Sequence, residues 1–156
     1  MNTTRRILLG TLAATLLCAV AIPAYAGFRR HYYGSWGYNT SYSYYYRPYY
    51  YYPSTTYTGA YHYHYCIHYP SQPRYVYYYN PYSSQYWGRY DLESQGYSLL
   101  AEKDRKANLK EIPESAFPKP GEMPAIPESE DGVKIPAPDK DDLPTTKADG
   151  LPADKK

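Results

Sequence analysis

Three of the chain's four histidines and Cys66 fall within the decapeptide YHYHYCIHYP at positions 61–70. Imidazole nitrogen and thiolate sulfur are the donors that zinc and copper take most readily. His62, His64, Cys66 and His68 are therefore candidate metal ligands, and their spacing decides how many could serve one ion. All four occupy even positions, and alternate residues of a strand share a face, so they form a single row. At about 3.3 Å per residue, His62 and His68 stand roughly 20 Å apart in a straight strand. Ligand bonds of about 2.0–2.3 Å cannot gather that row around one zinc. His62 with His64, or Cys66 with His68, could chelate an ion as a pair, completed by His31 or by acids later in the chain. The competing reading is an amphipathic strand whose imidazoles face water or a partner.

Cys66 has a second chemistry. The other cysteine, Cys18, lies in an apolar run expected to be removed, which leaves Cys66 with no intramolecular partner. In an oxidising compartment such a cysteine is free, ligated, or joined to another chain by an intermolecular disulfide. Catalytic signatures are missing: there is no Gly-x-Ser-x-Gly, phosphate loop, dinucleotide fingerprint, Cys-x-x-Cys or His-Glu-x-x-His. Asp91 and Glu93, the first acids after the leader, read as solvated residues at a strand end. The expectation is a protein that is not an enzyme and that carries no cofactor, copper or zinc on the His/Cys row excepted.

What positions these residues begins with what is removed. Arg5 and Arg6, the apolar run from Ile7 to Ile22 and the small-residue motif Ala24-Tyr25-Ala26 form a secretory signal over 1–26, cleaved after Ala26. The apolar core is short for a membrane span and ends in Pro23. The arginine pair suits the general route and the twin-arginine route alike. Cys18 follows Leu16-Leu17, where lipid attachment wants a small residue. Without Arg5 and Arg6 the chain's basic residues fall from 17 to fifteen, which equals its 15 acids. The charges are segregated. Residues 27–90 carry five arginines, four histidines and no acid, whereas all 15 acids follow Tyr90. A basic aromatic front and an acidic back imply contact between the two, or two separate partners.

Three zones follow the signal. Residues 27–59 form a Tyr/Gly/Ser-rich, low-complexity tract with scarcely an aliphatic residue, expected to be disordered or loosely extended and prone to β-association. Residues 60–101 alternate aromatic runs with Pro, Asn, Gly and Ser clusters, which predicts an antiparallel meander of about four short strands. The run 102–111, EKDRKANLKE, is rich in helix formers and allows one short helix. From Ile112 a large apolar residue (Ile, Phe, Met or Leu) precedes proline seven times, ending with Leu151-Pro152. Proline removes a donor and biases its predecessor to extended backbone, so 112–156 is expected to be an acidic, disordered tail of polyproline character. The fold class expected is thus mostly disordered, with a small all-β antiparallel meander between low-complexity arms. Ile-Pro-Glu-Ser occurs twice in the tail, at 112–115 and 126–129, a short echo with no structural repeat implied.

The stretches YHYCIHYP, PRYVYYYNPY, YWGRYDLE and GYSLLAEKDRKANLKEIPE resemble a group of short, tyrosine-rich exported proteins of planctomycete bacteria, over roughly residues 60–127. The resemblance implies a bacterial envelope setting and adds no mechanism. The function expected is an exported structural or interaction protein of the periplasm, cell wall or surface, acting through multivalent tyrosine contacts. Arginine stacking on tyrosine faces favours self-association or binding to envelope and matrix components. Export removes the usual nucleic-acid targets, and membrane contact is expected only through an uncleaved signal. The tail serves as a spacer or docks on a protein partner. The alternative is a periplasmic copper- or zinc-binding protein using His62, His64, Cys66 and His68.

Overall fold

One short pattern sets three of the hairpins. Tyr-Asx, three residues, Ser or Gln, one residue, and Tyr recurs at 38–45, 79–86 and 90–97. In each, the Asx oxygen accepts backbone N–H groups just ahead of it: Asn39 from Tyr42 at 3.1 Å, Asn80 from Tyr82 at 2.8 Å, Asp91 from Glu93 at 3.0 Å. The fourth loop residue then turns left-handed, with φ of 55° at Ser43, 54° at Ser84 and 54° at Gln95. An Asx-capped turn closed by a left-handed residue returns the chain alongside itself.

The computed structural model describes residues 30–144, so the signal expected at 1–26 and the tail residues 145–156 lie outside the described residues. Seven strands form one antiparallel sheet: β1 (His31–Tyr33), β2 (Gly37–Asn39), β3 (Tyr44–Tyr51), β4 (His62–His68), β5 (Tyr75–Asn80), β6 (Gln85–Asp91) and β7 (Gly96–Leu99). The order is β1-β3-β4-β5-β6-β7, with β2 also on β3. β1 pairs with Tyr49–Tyr51 and β2 with Tyr44–Tyr46, so the two share one edge of β3. The expectation of about four strands is corrected to seven. β4 to β7 are the expected meander, and the three additional strands come from the tract read as low complexity. Its tyrosines supply the core volume that aliphatic residues usually supply, and β3 alternates half-buried and buried residues along its whole length.

Alternation gives the sheet two faces, here A and B. Face A carries Tyr49, Tyr51, Cys66, Val76, Tyr78 and Tyr90, and face B carries Ile67, Tyr77 and Tyr86. A register shift in β6 opposite Tyr78/Tyr79 adds one residue and puts Trp87 into the face A core beside its neighbours.

Chain beyond Leu100 covers both faces. No α-helix forms over 102–111, only single 3-10 turns at Glu102–Asp104 and Leu109–Glu111. Leu109 is the one large apolar residue in that run, too few for a helical stripe to bury. Leu100, Ile112 and Phe117 lie on face B. The chain then crosses the β7 edge, where Tyr97 and Gly121 exchange backbone hydrogen bonds of 2.9 and 2.8 Å. Gly96 permits the crossing, since a Cβ there would lie 2.6 Å from Pro120. On face A, Ile126, Val133, Ile135 and Leu143 complete the core.

Residues 112–144, expected to be disordered, therefore lie ordered across the sheet. The physical reason is a match of hydrogen-bonding needs. A proline-rich segment has few N–H groups to satisfy but keeps its carbonyls, and aromatic side chains with a polar tip can donate to them. Tyr33 donates to the Pro136 carbonyl at 2.8 Å, Tyr49 to Lys134 at 3.1 Å, Tyr97 to Ile135 at 3.0 Å and Trp36 to Asp142 at 3.0 Å. Charge segregation serves the same docking. Arg30 pairs with Asp131, Arg47 with Asp142 and Arg89 with Glu114, while Arg74 pairs with Asp91 and Glu93 within the sheet and its turn.

Candidate functional site

The His/Cys row exists as the spacing requires, along face A of β4, but its members serve separate neighbours. His62, half-buried, shares a 3.3 Å hydrogen bond between Nε2 and the Tyr57 hydroxyl. His64 is 0% exposed, with Nε2 2.9 Å from Glu128 Oε2 and its ring edge-on to Trp87. Cys66 is 1% exposed, and burial pushes its thiol up to about 12 although Arg47, its partner across β3, pulls the other way. His68 is buried with Nδ1 3.3 Å from the Tyr75 carbonyl, and burial holds its pKa below the ordinary imidazole value. Among the described residues no group of three or more His, Cys, Asp or Glu side chains is disposed to hold a metal ion. His31, a possible completing ligand, accepts or donates at 2.7 Å with the Tyr49 hydroxyl instead. A disulfide from Cys66 to a second chain would first require the cover over face A to be displaced.

Asp91 is not a solvated end residue. It caps the β6–β7 turn and takes two bonds from Arg74, of 2.9 and 2.6 Å, which hold its carboxyl well below the usual range.

Face B presents what sequence reasoning missed. Its cover reaches the β5–β7 side, whereas the β3–β4 side keeps a ladder of half-buried tyrosines. Tyr46 meets Tyr65 at 5.4 Å and 89°, and Tyr63 meets Tyr65 at 5.3 Å and 69°. Tyr50 lies 5.8 Å from Tyr63 and stacks on Tyr32 at 5.0 Å, while Tyr52 stacks on Tyr61 at 4.0 Å. Edge-on and offset contacts of this kind suit the ring quadrupole and fix each ring's orientation.

At one end of the ladder a groove of about 550 Å³ opens between Tyr44, Tyr46, Tyr65 and Tyr69 and the wall Ala107–Lys110. A volume of a few hundred Å3, roughly 300–1,000, is what ligand sites usually enclose. Among the described residues lining it, Lys110 is the one charged side chain. The row 65, 67 and 69 was legible as one strand face by period two, whereas Tyr44 and Tyr46 were not, since they fall in the tract read as low complexity. The wall was not, since nothing in EKDRKANLKE announces that it lies against those rings.

No protein-family model matches the chain, and no curated protein or solved structure is significantly similar to it.

Proposed function

We propose that this is an exported, non-enzymatic interaction protein of the bacterial envelope, and that the β3–β4 side of face B is its contact surface. The observation that carries the reading is one-sided covering. Face A is sealed by chain from Met123 to Leu143, and the β5–β7 side of face B by chain from Leu100 to Phe117. Half-buried rings at Tyr32, Tyr50, Tyr63 and Tyr65 are left as a stacked, oriented surface. Tyrosine suits such a role because its ring contributes area at small entropic loss while its hydroxyl stays hydrated. The planctomycete resemblance and the secretory leader supply the envelope setting. The mechanism is multivalent: each ring adds a weak contact, and the rigid sheet fixes their spacing so that they act together.

The test is fractionation of cells expressing the full chain. The protein is expected to sediment with the insoluble envelope, and Tyr50→Ser with Tyr63→Ser to release it to the soluble fraction without lowering its melting temperature by more than a few degrees. A wild-type protein that is freely soluble would sink the reading.

A further inference from the structure

Tyr52 and Tyr61 close the mouth of the connection between β3 and β4, one step beyond the last ladder pair, Tyr51 with His62. That connection is the longest between described strands, ten residues from Tyr52 to Tyr61, against six between β4 and β5. The two rings stack at 4.0 Å with 17° between their planes, and the hydroxyl of Tyr61 is hydrogen-bonded to that of Tyr52. Parallel rings whose tips meet bring together the carbons ortho to each hydroxyl. Among the described residues no other tyrosine pair is both as near and as nearly parallel: Tyr32 and Tyr50 stand at 5.0 Å and 29°, Tyr42 and Tyr44 at 6.3 Å and 17°. Tyr78 and Tyr97 also stack, at 5.9 Å and 24°, but Tyr78 is sealed in the core, whereas Tyr52 and Tyr61 are both partly exposed.

We propose that Tyr52 and Tyr61 are a site of oxidative cross-linking, joined as dityrosine by an oxidant of the peroxidase class with hydrogen peroxide as the electron acceptor. Each phenol gives up one electron and its hydroxyl proton and becomes a phenoxyl radical, whose unpaired electron is shared with the ortho carbons. The two radicals couple in one new carbon–carbon bond between ortho carbons. That bond forms from orbitals perpendicular to the rings, which is why stacked faces suit it. The hydrogens displaced from those carbons pass to the oxygens as the rings regain aromaticity. The product is lighter by two hydrogens, and one peroxide leaves as two waters. The link closes a loop that no disulfide can close, since Cys66 is the one cysteine among the described residues and lies buried on face A. Exported folds are commonly held by covalent staples of that kind. Neither Tyr50 nor Tyr63 takes part, so the cross-link stands or falls apart from the contact surface.

The test treats dilute full-length protein with a haem peroxidase and limiting hydrogen peroxide. Blue dityrosine emission is expected in the monomer band. Chymotrypsin, which cuts after Tyr57, should release residues 52 and 61 in one branched peptide, lighter by two hydrogens than its separate parts. Tyr52→Phe and Tyr61→Phe keep a ring for stacking but lack the phenol, and each should lower the monomer emission at least tenfold. Tyr42→Phe combined with Tyr82→Phe should leave it unchanged, although these are the most exposed tyrosines described, at 73% and 58%. The linked protein should melt about 5 °C higher, because the closed loop restricts the unfolded chain. A monomer without dityrosine overturns the proposal, as does a link that survives Tyr61→Phe. Links that form chiefly between molecules through Tyr42 and Tyr82 overturn it too, since exposure alone would then decide the site. A linked protein that melts no higher than the unlinked one overturns the loop closure.

Discussion

His64 Nε2 stands 2.9 Å from Glu128 Oε2 and joins the middle of β4 to the proline-rich segment lying over it. The same carboxylate also accepts from the Asn80 side chain, whose own oxygen caps the β5–β6 turn. One glutamate therefore ties a strand, a turn and the cover. One of the four candidate metal ligands is thus used to hold the chain's own tail.

This tie predicts acid sensitivity. Burial raises the Glu128 pKa, but the bonds from His64 and Asn80 outweigh it and hold the group below its ordinary value. Arg89 does the same for Glu114, and Arg74 for Asp91. A carboxyl depressed by folding binds fewer protons native than unfolded, so its contribution is complete above the unfolded pKa and is lost as pH falls through the folded one. The urea midpoint is expected to begin a shallow fall below about pH 7, where the unfolded chain protonates His68 and the fold does not, and to fall more steeply below about pH 5 as the carboxyls protonate. Glu128→Gln should lower the plateau and flatten the fall, and a profile identical to wild type would rule the tie out.

Order in the tail makes a second prediction. Ile135 is 0% exposed and sits with Tyr49, Tyr78 and Tyr97 in the face A core. Ile135→Ala should destabilise the protein by about 2–5 kcal/mol, as large-to-small changes in a packed core do. Pro136→Ala, at an exposed neighbour, should change stability far less. Equal and negligible effects of the two in urea denaturation would show that this segment contributes no packing.

The comparison between residues explains what the sequence made legible. β4 to β7 were readable because turn residues punctuate them, and the His62–His68 row fell on one face by simple alternation. β1 to β3 were hidden because "YYYRPYYY" shows no contrast between its faces; tyrosine occupies both, and only burial separates Tyr45 and Tyr49 from Tyr46 and Tyr50. The Tyr38–Tyr45 turn pattern was the available signal, since Asn39 and Ser43 repeat the roles of Asn80 and Ser84. The tail was misjudged because proline content speaks against helix and sheet but not against an extended segment with tyrosine donors waiting for its carbonyls. The groove depended on where Ala107–Lys110 came to rest, which no local pattern specifies.

The left-handed turn residues give a third prediction. Ser84 has φ of 54° and Ser43 has φ of 55°, where a side chain is strained and glycine is not. Relief of that strain outweighs the extra freedom glycine brings to the unfolded chain. Ser84→Gly is expected to stabilise by about 0.5–1 kcal/mol. Its melting temperature should rise by a few degrees, and Ser84→Val should lower it. A glycine variant that melts earlier than wild type would show that the turn is not held in this conformation.

Cys66 supplies the last prediction. The thiol lies between Tyr33, Arg47 and the face A core, and burial pushes its pKa up to about 12, so little thiolate forms at neutral pH. Thiolate is the reactive species, and here it is both scarce and covered. Reaction of the folded protein with an aromatic disulfide reagent should therefore be at least a hundredfold slower than in urea. Its rate should increase in Ile135→Ala, because loosening the cover raises the population that exposes Cys66. Fast labelling of the intact fold would mean that face A is open to solvent. The row of His64 and Cys66 would then again be reachable by metal or by a second chain's thiol.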